Sequence, residues 1–218
     1  MSETDSFIEE VSEEVRRDRL YGLIRRYGWI AVVGVVAIVG GASWNEYNKA
    51  QDRAAAQALG DGIMTALEAE DPAARAAALA DVSAEGTMAG AVLTLQRASE
   101  LQAAGNNAEA ASLLDALASN GDVDAIYRQI AGFKSVLLKG SDMAADERRA
   151  VLEGLIQTSS PLRLLAEEQL ALIEVEAGDT TAALERLERI AADAEASAGL
   201  RRRATQLIVA LGGDRSEA

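Results

Sequence analysis

The sequence predicts an all-α chain, with one N-terminal transmembrane helix followed by a solenoid of helical hairpins. Three observations carry that prediction. Residues 27–45 form one uncharged, apolar run. Only two prolines interrupt a chain rich in alanine, leucine and glutamate, all good helix formers. Glycines at 105, 140 and 178 each follow an apolar helical pattern and precede another, which is the spacing of stacked helix pairs.

The N-terminal elements come first. Residues 5–25 read as a short amphipathic helix, with Phe7, Ile8, Val11 and Val15 on one face and Asp5 or Ser6 as cap. The run from Tyr27 to Asn45 would extend roughly 28 Å as a helix, close to the hydrocarbon thickness of a bilayer. Trp29 and Trp44 stand near its ends, beside Tyr27 and Tyr47, where amphipathic rings settle at membrane interfaces, so both tryptophans are read as interface anchors. Arg16, Arg17, Arg19, Arg25 and Arg26 precede the run, and only Lys49 and Arg53 follow closely. By the positive-inside rule that bias puts the N-terminus in the cytoplasm. The expected placement is a bacterial inner membrane, crossed once, with the C-terminal domain in the periplasm. A cleaved signal peptide is the competing reading, with small residues at Gly41, Ala42 and Ser43. The length of the basic and apolar regions favours a retained anchor. Gly34, Ala37 and Gly41 share a face at i, i+3 and i+7, a small-residue surface on which a second membrane helix can pack.

The remaining elements are helical. Residues 46–69 continue as helix, and Asp71-Pro72 opens the next one, since proline suits a first helical turn. That helix ends by Val82, and Glu85-Gly86-Thr87 breaks the pattern. Beyond it, Ala98, Leu101, Ala104 and Gly105 lead into Ala110, Ala111 and Leu114. Ala171, Ala177 and Gly178 lead in the same way into Ala182, Ala183 and Leu187. Ala98, Ala111, Ala171 and Ala183 let antiparallel helices approach, while Leu101, Leu114, Leu117, Leu170, Leu187 and Ile190 fill the space between pairs. The expected organisation is a cytoplasmic segment at 1–26, the transmembrane helix at 27–45, a helical stalk and first hairpin at 46–87, and the repeat domain at 88–218.

Composition narrows the function. The chain has no histidine and no cysteine, which removes the commonest general base, the familiar triads and the usual metal ligands. No phosphate-binding loop or nucleophile elbow is present, so neither an enzyme nor a cofactor or metal site is expected. From Glu46 onward 16 basic residues face 28 acidic ones, a net charge of −12, which argues against nucleic acid. The carboxylates at Glu167, Glu168, Glu174 and Glu176, and at Asp142, Asp146 and Glu147, read as solvated helix faces or caps. Glu185 and Arg189 sit at i, i+4 as surface support. Arg201-Arg202-Arg203 reads as placed against the domain's own acidic surface, with docking to an acidic partner or to headgroups as the alternative.

The A-x-x-L-x-x-x-G then A-A-x-x-L pattern resembles the tetratricopeptide repeat. Leu114 and Leu187 stand where that repeat carries an aromatic, and the unit around Gly140 departs furthest from it. Together with Arg25-Arg26-Tyr27-Gly28-Trp29 and Trp44-Asn45-Glu46-Tyr47, the layout resembles the YfgM-like ancillary subunits of the bacterial SecYEG translocon. The resemblance implies a membrane-anchored interaction module that assists exported proteins. Its implied partners are the Sec translocon, a membrane-anchored periplasmic chaperone and exported segments. An envelope scaffold for assembling a respiratory or cell-wall complex is the alternative. First helices of such repeats line the concave face, which makes Gln96, Glu100, Arg128 and Glu168 candidate groove residues.

Overall fold

A computed structural model describes the backbone of residues 3–84, 86–158 and 160–213. Side chains are described from Arg25 onward, except those of residues 28, 31 and 32 and of the backbone gaps. Among the described residues every regular element is helical. The helices are α1 (Glu3–Leu67), α2 (Pro72–Ala80), α3 (Thr87–Ala103), α4 (Asn107–Ser119), α5 (Ala125–Lys139), α6 (Ala145–Gln157), α7 (Arg163–Glu176), α8 (Thr180–Ala192) and α9 (Ala198–Ala210). The chain divides into two compact units, Met1–Gln57 and Ala58–Ala218.

The described residues of the first unit, 3–57, lie within α1. The short helix expected at 5–25, the run at 27–45 and its expected continuation at 46–69 are one continuous helix, because no proline or capping turn interrupts them. The apolar face expected from Phe7, Ile8, Val11 and Val15 lies outside the described side chains. The transmembrane helix expected at 27–45 is not supported. Among the described residues no helix is long and apolar enough to cross a membrane. The single-pass inner-membrane placement loses its basis with it. The described part of the run contains Gly34, Gly40, Gly41, Ser43 and Asn45, which add little hydrophobicity. Ile30, Val33, Val35, Val36, Ile38 and Val39 are all at least half exposed.

The second unit is a stack of helical hairpins. Its helices α2 to α9 pack on their sequence neighbours, and α3 also touches α5. The first helices of the hairpins begin at 87, 125 and 163, and the second helices at 107, 145 and 180. That recurrence of 35 to 38 residues is the period read from the glycines. Asp71 caps α2 by accepting a 2.8 Å bond from the Ala74 N–H, with Pro72 in the first turn. Gly105 (φ +81°) and Gly178 (φ +77°) end α3 and α7 in the left-handed region that glycine enters without a Cβ penalty. Their turns match bond for bond. Asn106 N–H reaches Leu101 O and Gly105 N–H reaches Gln102 O. Asp179 N–H reaches Glu174 O and Gly178 N–H reaches Val175 O. Gly140 closes α5 differently, at φ +49° and ψ −127°, and a single 3₁₀ turn at Gly140–Asp142 leads to α6. The hairpin that departs most from the repeat pattern thus has its own turn.

The small and large positions singled out in the sequence are all in the core: Ala98, Ala111, Ala171 and Ala183, with Leu101, Leu114, Leu117, Leu170, Leu187 and Ile190. All but Ala111 and Ala183 belong to three clusters spread along the stack, the first across α2–α5, the second across α5–α7 and the third across α7–α9. No cluster is closed by one hairpin alone, which is why such pairs fold as a stack.

Candidate interaction groove

Helix α7 carries four carboxylates that the sequence places on solvated faces. The structure pairs each with an arginine from another helix. Glu167 and Glu174 converge on Arg186 of α8, with Glu174 Oε1 2.6 Å from Arg186 Nη2. Glu176 accepts from both terminal nitrogens of Arg148 of α6, at 3.2 and 2.5 Å. Glu168 accepts from Arg203 Nε and Nη2 of α9, at 2.7 and 2.8 Å. Bidentate pairs of this kind fix orientation as well as charge. The guanidinium of Arg148 holds Glu176 below the usual carboxylate range, first through its hydrogen bonds. The same bonds raise Arg148, and those from Glu168 raise Arg203. Arg186 is raised well above its ordinary value, first by its bonds to Glu174. At the start of α7, Arg163 bonds Asp193 and Glu195 in the turn between α8 and α9, at 2.9 and 2.7 Å. Asp193 is lowered by the Glu195 backbone N–H and then by Arg163.

The Arg201-Arg202-Arg203 cluster is divided by this arrangement. Arg203 is held by Glu168, and Arg201 donates to the Ala196 carbonyl at 2.6 and 3.2 Å. Arg202 is exposed. Glu185 and Arg189 are both exposed on α8, as their spacing predicts.

Between α7 and α9 runs an open groove of about 550 Å³. Gln169 and Leu172 of α7 face Gln206, Leu207 and Ala210 of α9 across it, and the Glu168–Arg203 pair lies at its edge. Glu168 is 6% exposed, whereas the Arg203 side chain is 51% exposed. A larger hollow of about 610 Å³ lies along α4 and the end of α5. On its lining, Asp115 accepts from Ser135 Oγ and from Lys139 Nζ, both at 2.6 Å. The α7–α9 groove sets two leucines, Leu172 and Leu207, beside two amide side chains, Gln169 and Gln206.

The candidate residues read from the sequence fall apart into separate roles. Glu168 borders this groove. Glu100 is held by Arg75 of α2 at 2.7 Å and receives a bond from Gln96 at 3.2 Å, so both are engaged within the fold. Arg128 is half-buried in the first turn of α5, away from the groove lining. Gly34, Ala37 and Gly41 are exposed, and a Cβ added at either glycine would meet nothing within 4 Å. Trp29 and Trp44 are exposed as well, Trp44 lying 6.4 Å from the Tyr47 ring. Their reading as interface anchors depended on the span that is not supported.

Sequence reasoning missed Leu172, Gln206 and Leu207 as groove residues, whereas Arg203 was placed against the domain's own acidic surface, where it pairs with Glu168. One signal was present. Glu168 and Arg203 are 35 residues apart, as are Ser99 and Lys134, which also bond across neighbouring first helices. Complementary side chains one repeat apart face each other in a stack. No cluster of three or more His, Cys, Asp or Glu is placed to hold a metal ion among the described residues. Comparison with known proteins found no matching family model, no matching curated protein and no matching solved structure.

Proposed function

We propose that this protein is a protein-interaction module whose helical-repeat stack binds a segment of a partner chain, without turnover. The observation that carries the reading is the open α7–α9 groove. Leu172, Leu207 and Ala210 offer apolar surface, and Gln169 and Gln206 supply donors and acceptors for a peptide backbone. A segment laid between first helices buries apolar area and satisfies its own polar groups at the same time. The absence of histidine and cysteine from the chain supports binding over catalysis. The partner class implied by the resemblance, the Sec translocon with its chaperone and exported segments, remains the proposed one.

Site-specific photocrosslinking tests the reading. A benzoylphenylalanine at Leu207 of the full chain is expected to capture a defined partner in cells, while the same group at Glu185 is not. Identical adducts from both positions would remove the groove from the account. Translocon or chaperone subunits among the Leu207 adducts would support the partner class, and their consistent absence in favour of another protein would reassign it.

A further inference from the structure

We infer that the α7–α9 groove selects a basic–apolar segment, whose lysine or arginine replaces Arg203 on Glu168. The inference rests on the groove being a binding site and adds the chemistry of its occupant.

Glu168 is 6% exposed, and a carboxylate so buried needs a cation beside it. Arg203 supplies one through two bonds, yet half of its side chain faces solvent. The buried member of the pair is therefore fixed and the exposed member can swing away. An incoming guanidinium or ammonium can take its place without leaving the carboxylate unpaired. Leu172 and Leu207 then receive apolar neighbours, the contribution that Arg203 alone does not make.

An acidic segment meets the opposite situation. To engage Arg203 it must draw that side chain from Glu168 and leave a buried charge unpaired, which is costly. It must also approach a region with net charge −12 from Glu46 onward. Both effects act in the same direction, so charge sets selectivity and the leucines set affinity.

The two partners of the pair should respond oppositely to mutation. Glu168→Gln removes the carboxylate that the ligand's cation seeks. Arg203→Ala removes the internal competitor for it. A pair with only a structural role would weaken binding in both variants.

Fluorescence anisotropy with the full chain and three labelled twelve-residue peptides tests this. The peptides share leucines at two positions four apart and differ at one central position, which is Lys, Gln or Glu. Circular dichroism verifies that each variant is folded. The Lys peptide is expected to bind about tenfold more tightly than the Glu peptide, a difference of about 1.4 kcal/mol. Its affinity should fall several-fold in Glu168→Gln and rise several-fold in Arg203→Ala. Equal affinities for all three peptides, or parallel losses in the two variants, overturn the exchange while leaving groove binding in place. Failure of all three peptides to bind in the millimolar range, with Leu207→Glu making no difference, overturns both the exchange and the groove.

Discussion

A Cβ built on Gly132 would lie 3.7 Å from Val151 Cγ1 and 3.8 Å from Ala118 Cβ, which is ordinary van der Waals contact. The residue sits inside α5, where glycine costs about 0.5–1 kcal/mol relative to alanine. Gly132→Ala is expected to raise the unfolding free energy by about that amount, read as a higher urea midpoint. An unchanged or lower midpoint would show that α4, α5 and α6 have no room for the methyl. Ala183 is the opposite case. It is fully buried between helices, and Ala183→Phe should cost about 1–3 kcal/mol through overpacking. Glu185→Phe, two residues away on the exposed face, should change stability little. Equal effects at the two sites would contradict the register of α8.

At the scale of the element, the turns of α3 and α7 share one design. Each ends on a glycine with φ near +80°, and each turn closes two backbone hydrogen bonds. A residue with a Cβ in the left-handed region costs roughly 1–2 kcal/mol. Gly105→Ala and Gly178→Ala are therefore expected to lower stability by about that much each. The sign is opposite to that for Gly132→Ala, although the chemical change is identical. Thermal unfolding of the three variants side by side tests the contrast, and stabilisation at Gly105 would mean that the turn is not left-handed in solution. The legibility of these turns has a local cause. A helix closed by glycine and followed by a polar cap is encoded within a few residues, so Gly105 and Gly178 were readable. Gly140 was readable as a break, but not its 3₁₀ continuation, which depends on how α6 is placed.

At the scale of the molecule, α7 joins α6, α8 and α9 through charge. Glu176 titrates below its ordinary value in the fold because of Arg148, and Asp193 does so because of the Glu195 N–H and Arg163. A carboxylate lowered by folding stabilises the protein above its unfolded pKa, and that contribution is lost as pH falls through its folded value. Stability should thus hold from neutral pH down to about 4.5, the ordinary glutamate value, and fall below it. Glu176→Gln should be less stable at pH 7 by about 1 kcal/mol, because half of Glu176 is screened by solvent. Its stability should also decline less steeply below pH 4.5. Urea unfolding at a series of pH values measures both, and parallel profiles for the variant and the parent would dissociate the pair from acid stability.

The sequence by itself determined the all-helical class, the hairpins around Gly105 and Gly178, and the alanine and leucine positions buried in them. Helical periodicity, proline at a first turn and glycine at a last turn are short-range properties, and Ala98, Ala171 and Leu187 lie where that periodicity puts them. Tertiary structure alone decided which charges meet. Glu168 and Arg203, or Arg148 and Glu176, stand on different helices, and their encounter depends on the rotation and stacking of whole hairpins. A run of carboxylates on α7 looks solvated in one dimension and is neutralised in three. The groove was hidden for the same reason. It is a space between α7 and α9, and no residue encodes a space until its neighbours have packed.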